Sequence, residues 1–141
     1  MEFQKMKYDI MRCRWTGGKD LDVADTSCTY PLHDLAQTNY LIEIRGRVIT
    51  AFAGITGPVT IKVGVPTVPD IFLKAQNLAT VYPFITHNIV DSEDWCAGRS
   101  NALWNMSDAI VTFTSDSGNL EDLTAGEVEL IIVRLIPDPD A

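Results

Sequence analysis

The fold class follows from residues 40–52, which read YLIEIRGRVITAF. In this segment apolar side chains occupy one face of an extended chain and charged side chains occupy the other. The apolar face holds Ile42, Ile44, Val48 and Phe52, and the charged face holds Glu43, Arg45 and Arg47. A period of two indicates a β-strand with one buried face, because an amphipathic helix repeats every 3.6 residues. Thirteen residues is long for a strand, so Gly46 is expected to mark a bend or a close backbone approach.

The same period of two continues outward along most of the chain. Residues 59–64, 108–115 and 127–136 are predicted strands, separated by turns rich in Gly, Pro, Asp and Asn. The short link at 53–58 contains Gly and Pro, so the segments 40–52 and 59–64 are expected to form a hairpin. Residues 71–79 follow Pro69-Asp70 and predict a short helix.

Near the N-terminus the alternation changes phase. Apolar and polar residues alternate over residues 6–10, but Ile10 and Met11 are adjacent and the pattern continues on the other parity at Cys13 and Trp15. One extra residue in a strand turns every later side chain over, so a β-bulge or a bend is expected near Met11.

Six to eight strands, each followed by turn residues, predict an all-β fold. We expect a single-domain β-sandwich or jelly-roll-like barrel with a basic and apolar N-terminal strand or arm. Residues 1–20 are expected to form that arm or strand, packing on a partner or on the body, and residues 21–141 to form the sandwich body of the same domain.

The charge is distributed unevenly. The 141 residues carry a formal charge of −8, yet residues 1–47 sum to zero, so residues 48–141 carry the whole excess. An acidic body repels phosphate backbones, so nucleic acid is not an expected partner. No run of about 18 apolar residues predicts a membrane span. The first residues do not show the apolar stretch of a signal peptide behind a basic start, so synthesis in a cytosol is expected. The 3 cysteines, an odd number, are expected to be reduced thiols.

The sequence offers little for catalysis. His33 and His87 are the only histidines, and Ser100 lacks the glycine pattern of a nucleophile elbow. Cys28, His33 and Cys96 have poor zinc spacing, and residues 91–94 lack the pattern of a calcium loop. Glu127 and Glu129 share a strand face and are interpreted as an outward polar edge. We therefore expect no catalytic residue, no metal, no cofactor and no enzymatic activity.

The three tryptophans allow two interpretations. Trp15, Trp95 and Trp104 are expected in the core or in an oligomer interface, where Trp is enriched. Aromatic platforms beside Asp and Asn also suit sugar rings, so Trp95 and Trp104 are candidate interface or sugar-contact residues. The sequence alone does not separate these two interpretations.

The segment from Ile42 to Pro137 resembles a family. The motifs are VITAFAG at 48–54, VTIKVG at 59–64, DAIVTF at 108–113 and LTAGEVEL at 123–130. They resemble small all-β head proteins of tailed bacteriophages, several of which decorate or cement the capsid exterior. The resemblance implies a structural virion protein that binds the major capsid protein and stabilises its lattice. It implies no catalytic residues.

A capsid-binding role suggests where contact is made. Our hypothesis is that residues 1–15 form an arm or edge strand that docks on the major capsid protein, adding a strand to a sheet edge. The contact residues are then Phe3, Lys5, Lys7, Arg12, Arg14 and Trp15. Symmetric sites on a shell favour a homotrimer or homodimer. A tail or connector component and a carbohydrate-binding module remain as alternatives.

Overall fold

The computed structural model describes residues 5–32, 40–80, 85–87 and 109–138, and these form eight β-strands. The strands are β1 Met6–Thr16, β2 Ser27–Pro31, β3 Tyr40–Ala53, β4 Val59–Val65, β5 Val68–Asn77, β6 Ile85–His87, β7 Ile110–Ser115 and β8 Ala125–Pro137. A short 3-10 helix, Leu120–Asp122, precedes β8. The predicted strands at 40–52, 59–64, 108–115 and 127–136 are thus confirmed as β3, β4, β7 and β8.

The strands form two antiparallel sheets. The first sheet has the order β1-β8-β3-β6 and the second has the order β2-β7-β4-β5. Strand β1 thus pairs with β8, β2 with β7, β3 with β6 and β4 with β5, as when a long antiparallel ribbon is rolled into two layers. The predicted all-β fold, a β-sandwich of two antiparallel sheets, is confirmed. Of the two forms allowed for the N-terminal segment, residues 6–16 adopt the strand.

The core lies between the two sheets. Inward-facing aliphatic side chains of β3, β4, β7 and β8 are buried, among them Ile44, Ile61, Val111 and Leu130. An aromatic cluster closes the core beside β1, where the ring of Trp15 lies 5.5 Å from that of Phe113 and 6.3 Å from that of Tyr30. The predicted alternation along β3 is confirmed for Ile44, Val48 and Phe52, which are buried.

Three local expectations were wrong. Strands β3 and β4 do not form a hairpin, because β3 pairs with β8 and β6 while β4 pairs with β5 and β7. The link at 54–58 carries the chain from one sheet to the other. The predicted helix at 71–79 is part of strand β5, an edge strand that tolerates Pro69 because its outer side needs no N–H donor. The predicted bulge near Met11 is absent, because β1 and β8 keep one register from Met6 to Thr16.

Candidate interaction surface

Strand β1 shows why the sequence pattern changed phase. Its odd-numbered residues point towards the core, with Trp15 buried and Met11 and Cys13 half-buried. Its even-numbered residues point outward, and two of them are large and apolar. Tyr8 is 70% exposed and Ile10 is 62% exposed. The adjacent apolar residues Ile10 and Met11 therefore lie on opposite faces of a regular strand, and the outward ones form a surface patch.

The register extends this patch across the first sheet. Ile10 lies opposite Val133 of β8, and Arg12 lies opposite Ile131, which in turn lies opposite Arg45 of β3. Directly opposite residues point to the same side of a sheet. We call this side the outer face, and its described side chains include Met6, Tyr8, Ile10, Arg12, Arg14, Thr16, Arg45, Arg47, Thr50, Glu127, Glu129, Ile131 and Val133.

On the outer face, next to the cross-strand row of Arg12, Ile131 and Arg45, lies a buried carboxylate, that of Glu129. Glu129 is 3% exposed and lies between β1 and β3. Its Oε2 accepts a hydrogen bond from Arg14 Nη2 at 2.9 Å, and its Oε1 lies 3.3 Å from Arg47 Nε. Arg14 Nη1 also lies 3.1 Å from Glu127 Oε1. The hydrogen bond from Arg14 and the charge of Arg47 lower the pKa of Glu129 despite its burial. This network joins the three neighbouring strands.

Along β1, the outer face changes from apolar to charged side chains. Among the side chains that the structure describes, those nearest the start of β1 are apolar, with Tyr8, Ile10 and Val133, and the following rows carry four arginines against two glutamates. The described part of the outer face is therefore locally basic on a chain of net charge −8. The opposite balance is found in the loops 17–26 and 116–124, whose exposed acidic residues are Asp20, Asp22, Asp25, Asp116, Glu121 and Asp122.

Strand β1 is also an edge of the first sheet, with no strand on its other side in the described ranges. At the two ends of the ladder, Gly17 N donates to the carbonyl of Gly126 and Asp138 N donates to the carbonyl of Lys5. Odd-numbered residues of this segment thus exchange backbone hydrogen bonds with β8. Since bonding alternates along an antiparallel pair, Tyr8, Ile10 and Arg12 direct their backbone N–H and C=O groups to the outer edge.

The structure separates the residues predicted to contact a capsid. Lys5, Lys7, Arg12 and Arg14 are exposed. Arg14 also forms ion pairs with Glu127 and Glu129. Trp15 lies in the core, where its ring packs on Phe113, so we do not retain it as a surface anchor. Phe3, Trp95 and Trp104 lie outside the described residues, as do His33, Cys96 and the acidic segment 91–94.

Sequence reasoning missed the exposed apolar part of the surface. Tyr8, Ile10, Ile131 and Val133 were assigned to strands but not to a site. A signal was present, because apolar residues on both faces of 130–136 and the phase change at Ile10 mark outward apolar side chains. Strand β8 has its inner face buried and its outer face half-buried at Ile131 and Val133.

Two other observations bear on chemistry. In the described ranges, no three His, Cys, Asp or Glu side chains lie together as metal ligands would. Cys28 is a free thiol, and burial raises its pKa. No helix in the described part of the chain is long and apolar enough to cross a membrane.

Comparison with known proteins reveals similarity in fold only. No family model matches the sequence, and no curated protein matches it. A chain of the cyanophage Pam1 capsid asymmetric unit superposes with a TM-score of 0.53 at 13% identity, covering 97% of this chain and 89% of that one. The Tobacco streak virus coat protein has a TM-score of 0.49 at 9% identity, covering 95% and 87%. A mud crab tombus-like virus chain has 0.48 at 12%, covering 99% and 84%.

Proposed function

We propose that this chain is a structural virion protein that decorates or cements the exterior of a phage head. It binds the major capsid protein through the outer face of the first sheet. The observation that carries the proposal is the apolar and basic outer face on an otherwise acidic chain. The two-sheet fold, similar to that of the Pam1 capsid chain, and the resemblance of residues 42–137 to head proteins of tailed phages support the same role.

The apolar part of the outer face supports a protein partner. Tyr8 and Ile10 expose large apolar side chains next to half-buried Val133 and Ile131. Contiguous apolar surface of this kind favours protein–protein contact, because removing it from water lowers the free energy by about 25 cal/mol per Å². Arginines beside such a patch, here Arg12, are enriched in interfaces for their planar, multiply donating head groups.

The charge pattern supports an acidic docking surface on the partner. The outer face has a surplus of positive charge, whereas the loops 17–26 and 116–124 are acidic and exposed. An acidic partner surface would attract the outer face and repel the acidic loops, which orients the encounter. The acidic loops would then face solvent, where net charge favours solubility.

Of the alternatives, a tail or connector component uses the same surface on a different shell position. The sugar-binding alternative draws less support, because Trp15 is a core residue and not an aromatic platform. Sugar binding through Trp95 and Trp104 stays a prediction.

Co-sedimentation with heads that lack this protein tests the proposal. The full chain is expected to pellet with the heads. A variant with Tyr8→Ser and Ile10→Ser loses the apolar patch and is expected to remain in the supernatant, as is Arg12→Glu. Lys74→Glu is the matched control, since Lys74 is an exposed cation on β5 of the second sheet. The proposal fails if the wild-type chain does not pellet, or if Lys74→Glu weakens binding as much as Arg12→Glu does.

A further inference from the structure

The four sheet edges differ in how they are protected. Exposed edges invite pairing with another chain, and proteins usually blunt them with short strands, proline or bulges. Strand β2 has five residues and ends at Pro31, β6 has three residues, and β5 contains Pro69 and two register shifts against β4. Strand β1 differs from all three. It has 11 residues in unbroken register with β8 and contains no proline.

We infer that β1 pairs with β1 of a second copy of this chain, antiparallel and centred on Tyr8. The first sheets of the two copies then form one continuous eight-stranded sheet. The outward backbone groups of Met6, Tyr8 and Ile10 supply this pairing, with Tyr8 opposite Tyr8 and Met6 opposite Ile10. These pairs exchange about six backbone hydrogen bonds across the two-fold axis.

The charges of β1 select this register. Centring on Tyr8 places Lys7 opposite Asp9 of the second copy, twice, and sets no like charges opposite each other. If the β1–β1 pairing were centred on Lys7, Asp9 or Arg12, that charged residue would lie opposite the same residue of the second copy. If the pairing were centred on Ile10 or Met11, no opposite charges would face each other. Opposite charges across neighbouring strands stabilise pairing and like charges oppose it. The edge is therefore complementary to itself in one register.

Apolar burial favours the same register. Met6, Tyr8 and Ile10 share the outer side of β1, so the two-fold axis gathers six such side chains into one patch. Tyr8 and Ile10 are the large hydrophobic residues most exposed in the described ranges. The contact is isologous and closes at a dimer, because both β1 edges are used. Tyr8 and Ile10 also belong to the proposed shell-binding surface, and in the dimer the outer face of the continuous sheet, with its basic part, remains available for shell binding.

Sedimentation velocity of the full chain tests the inference through a charge exchange. The wild-type chain is expected to sediment as a dimer. Lys7→Glu sets Glu opposite Asp9, and Asp9→Lys sets Lys opposite Lys7, so each variant alone is expected to raise the dimer Kd at least about tenfold. An equimolar mixture of the two variants pairs opposite charges again and is expected to restore the dimer. Lys74→Glu is the control and should leave the dimer intact.

A proline variant tests the backbone contact. Ile10→Pro removes an N–H that points to the outer edge while leaving the bonds to β8 in place, so it is expected to give a folded monomer. A wild-type monomer at all concentrations, or failure of the mixture to restore the dimer, would overturn the inference.

Shell binding distinguishes this inference from the proposed function. A dimer that does not pellet with heads would refute only the proposed function. A wild-type monomer that pellets with heads, and loses that binding on Ile10→Pro, would mean that a strand of the capsid protein occupies the edge instead.

Discussion

Replacing Glu129 by Gln tests whether the buried carboxylate joins the strands of the first sheet. The substitution keeps the size of the side chain and removes its charge. Glu129 accepts from Arg14 at 2.9 Å and lies 3.3 Å from Arg47. A hydrogen bond to a charged group contributes about 1 kcal/mol more than a neutral one. Both arginines are about half exposed, so solvent screens the interaction, and we expect a total loss of about 1 kcal/mol.

Urea unfolding at neutral pH measures this loss. With a slope of about 2 kcal/mol per molar urea, the midpoint of Glu129→Gln should fall by about 0.5 M. Glu127→Gln is the matched control, because the side chain of Glu127 is 28% exposed and forms its ion pair with Arg14. Its loss should be smaller, about 0.3 kcal/mol.

The same variant changes the dependence of stability on pH. The pKa of Glu129 is lowered in the folded chain, first by the hydrogen bond from Arg14. Its contribution is therefore complete above the unfolded pKa of about 4.3 and is lost as pH falls through the folded pKa. Glu129→Gln should lose less stability than wild type on acidification below that range. Equal stability at neutral pH together with an unchanged acid slope would refute this account of the network.

Two further predictions concern the fold. Gly64→Ala places a Cβ in steric overlap with the carbonyl groups of Val68 and Pro69, so the backbone must shift. Chemical unfolding should show a loss of about 1–3 kcal/mol, and unchanged stability would contradict this expectation. Burial, with a hydrogen bond to Cys28, raises the pKa of Tyr30 to about 12. The contribution of Tyr30 to stability is therefore complete below the unfolded pKa of about 10 and is lost as pH rises through the folded pKa. An alkaline absorbance titration should show one tyrosine that ionises at higher pH than the others and is missing in Tyr30→Phe. If Tyr30→Phe still shows that high-pH ionisation, the assignment to Tyr30 is contradicted.

Much of the strand content could be predicted because period-two alternation is a local property. The stretch at 40–52 and the β-branched run at 110–115 both became strands, since their apolar faces need a core on one side only. The same reasoning failed where pairing decides. Residues 71–79 look helical by composition, but β4 offers an unpaired edge, and β5 fills it despite Pro69.

The candidate surface was predictable in part. The sequence indicated a basic and apolar N-terminal segment, and Lys5, Lys7 and Arg12 are exposed there. It also indicated Arg14 and Trp15 as contacts. Arg14 is exposed but forms an ion pair with Glu129, whereas Trp15 is buried against Phe113. Both outcomes depend on residues more than 90 positions away, which no local pattern reveals.

The sequence by itself determined that the chain is all-β, acidic and uneven in charge, because alternation and composition are properties of neighbouring residues and of totals. Only the tertiary structure decided that β8 lies between β1 and β3, which sets Arg12 and Arg45 on either side of Ile131. It also decided that β1 is an edge whose apolar side chains point outward. Strand order depends on which distant segments bury their apolar faces together, so the outer face exists only once the two sheets have packed.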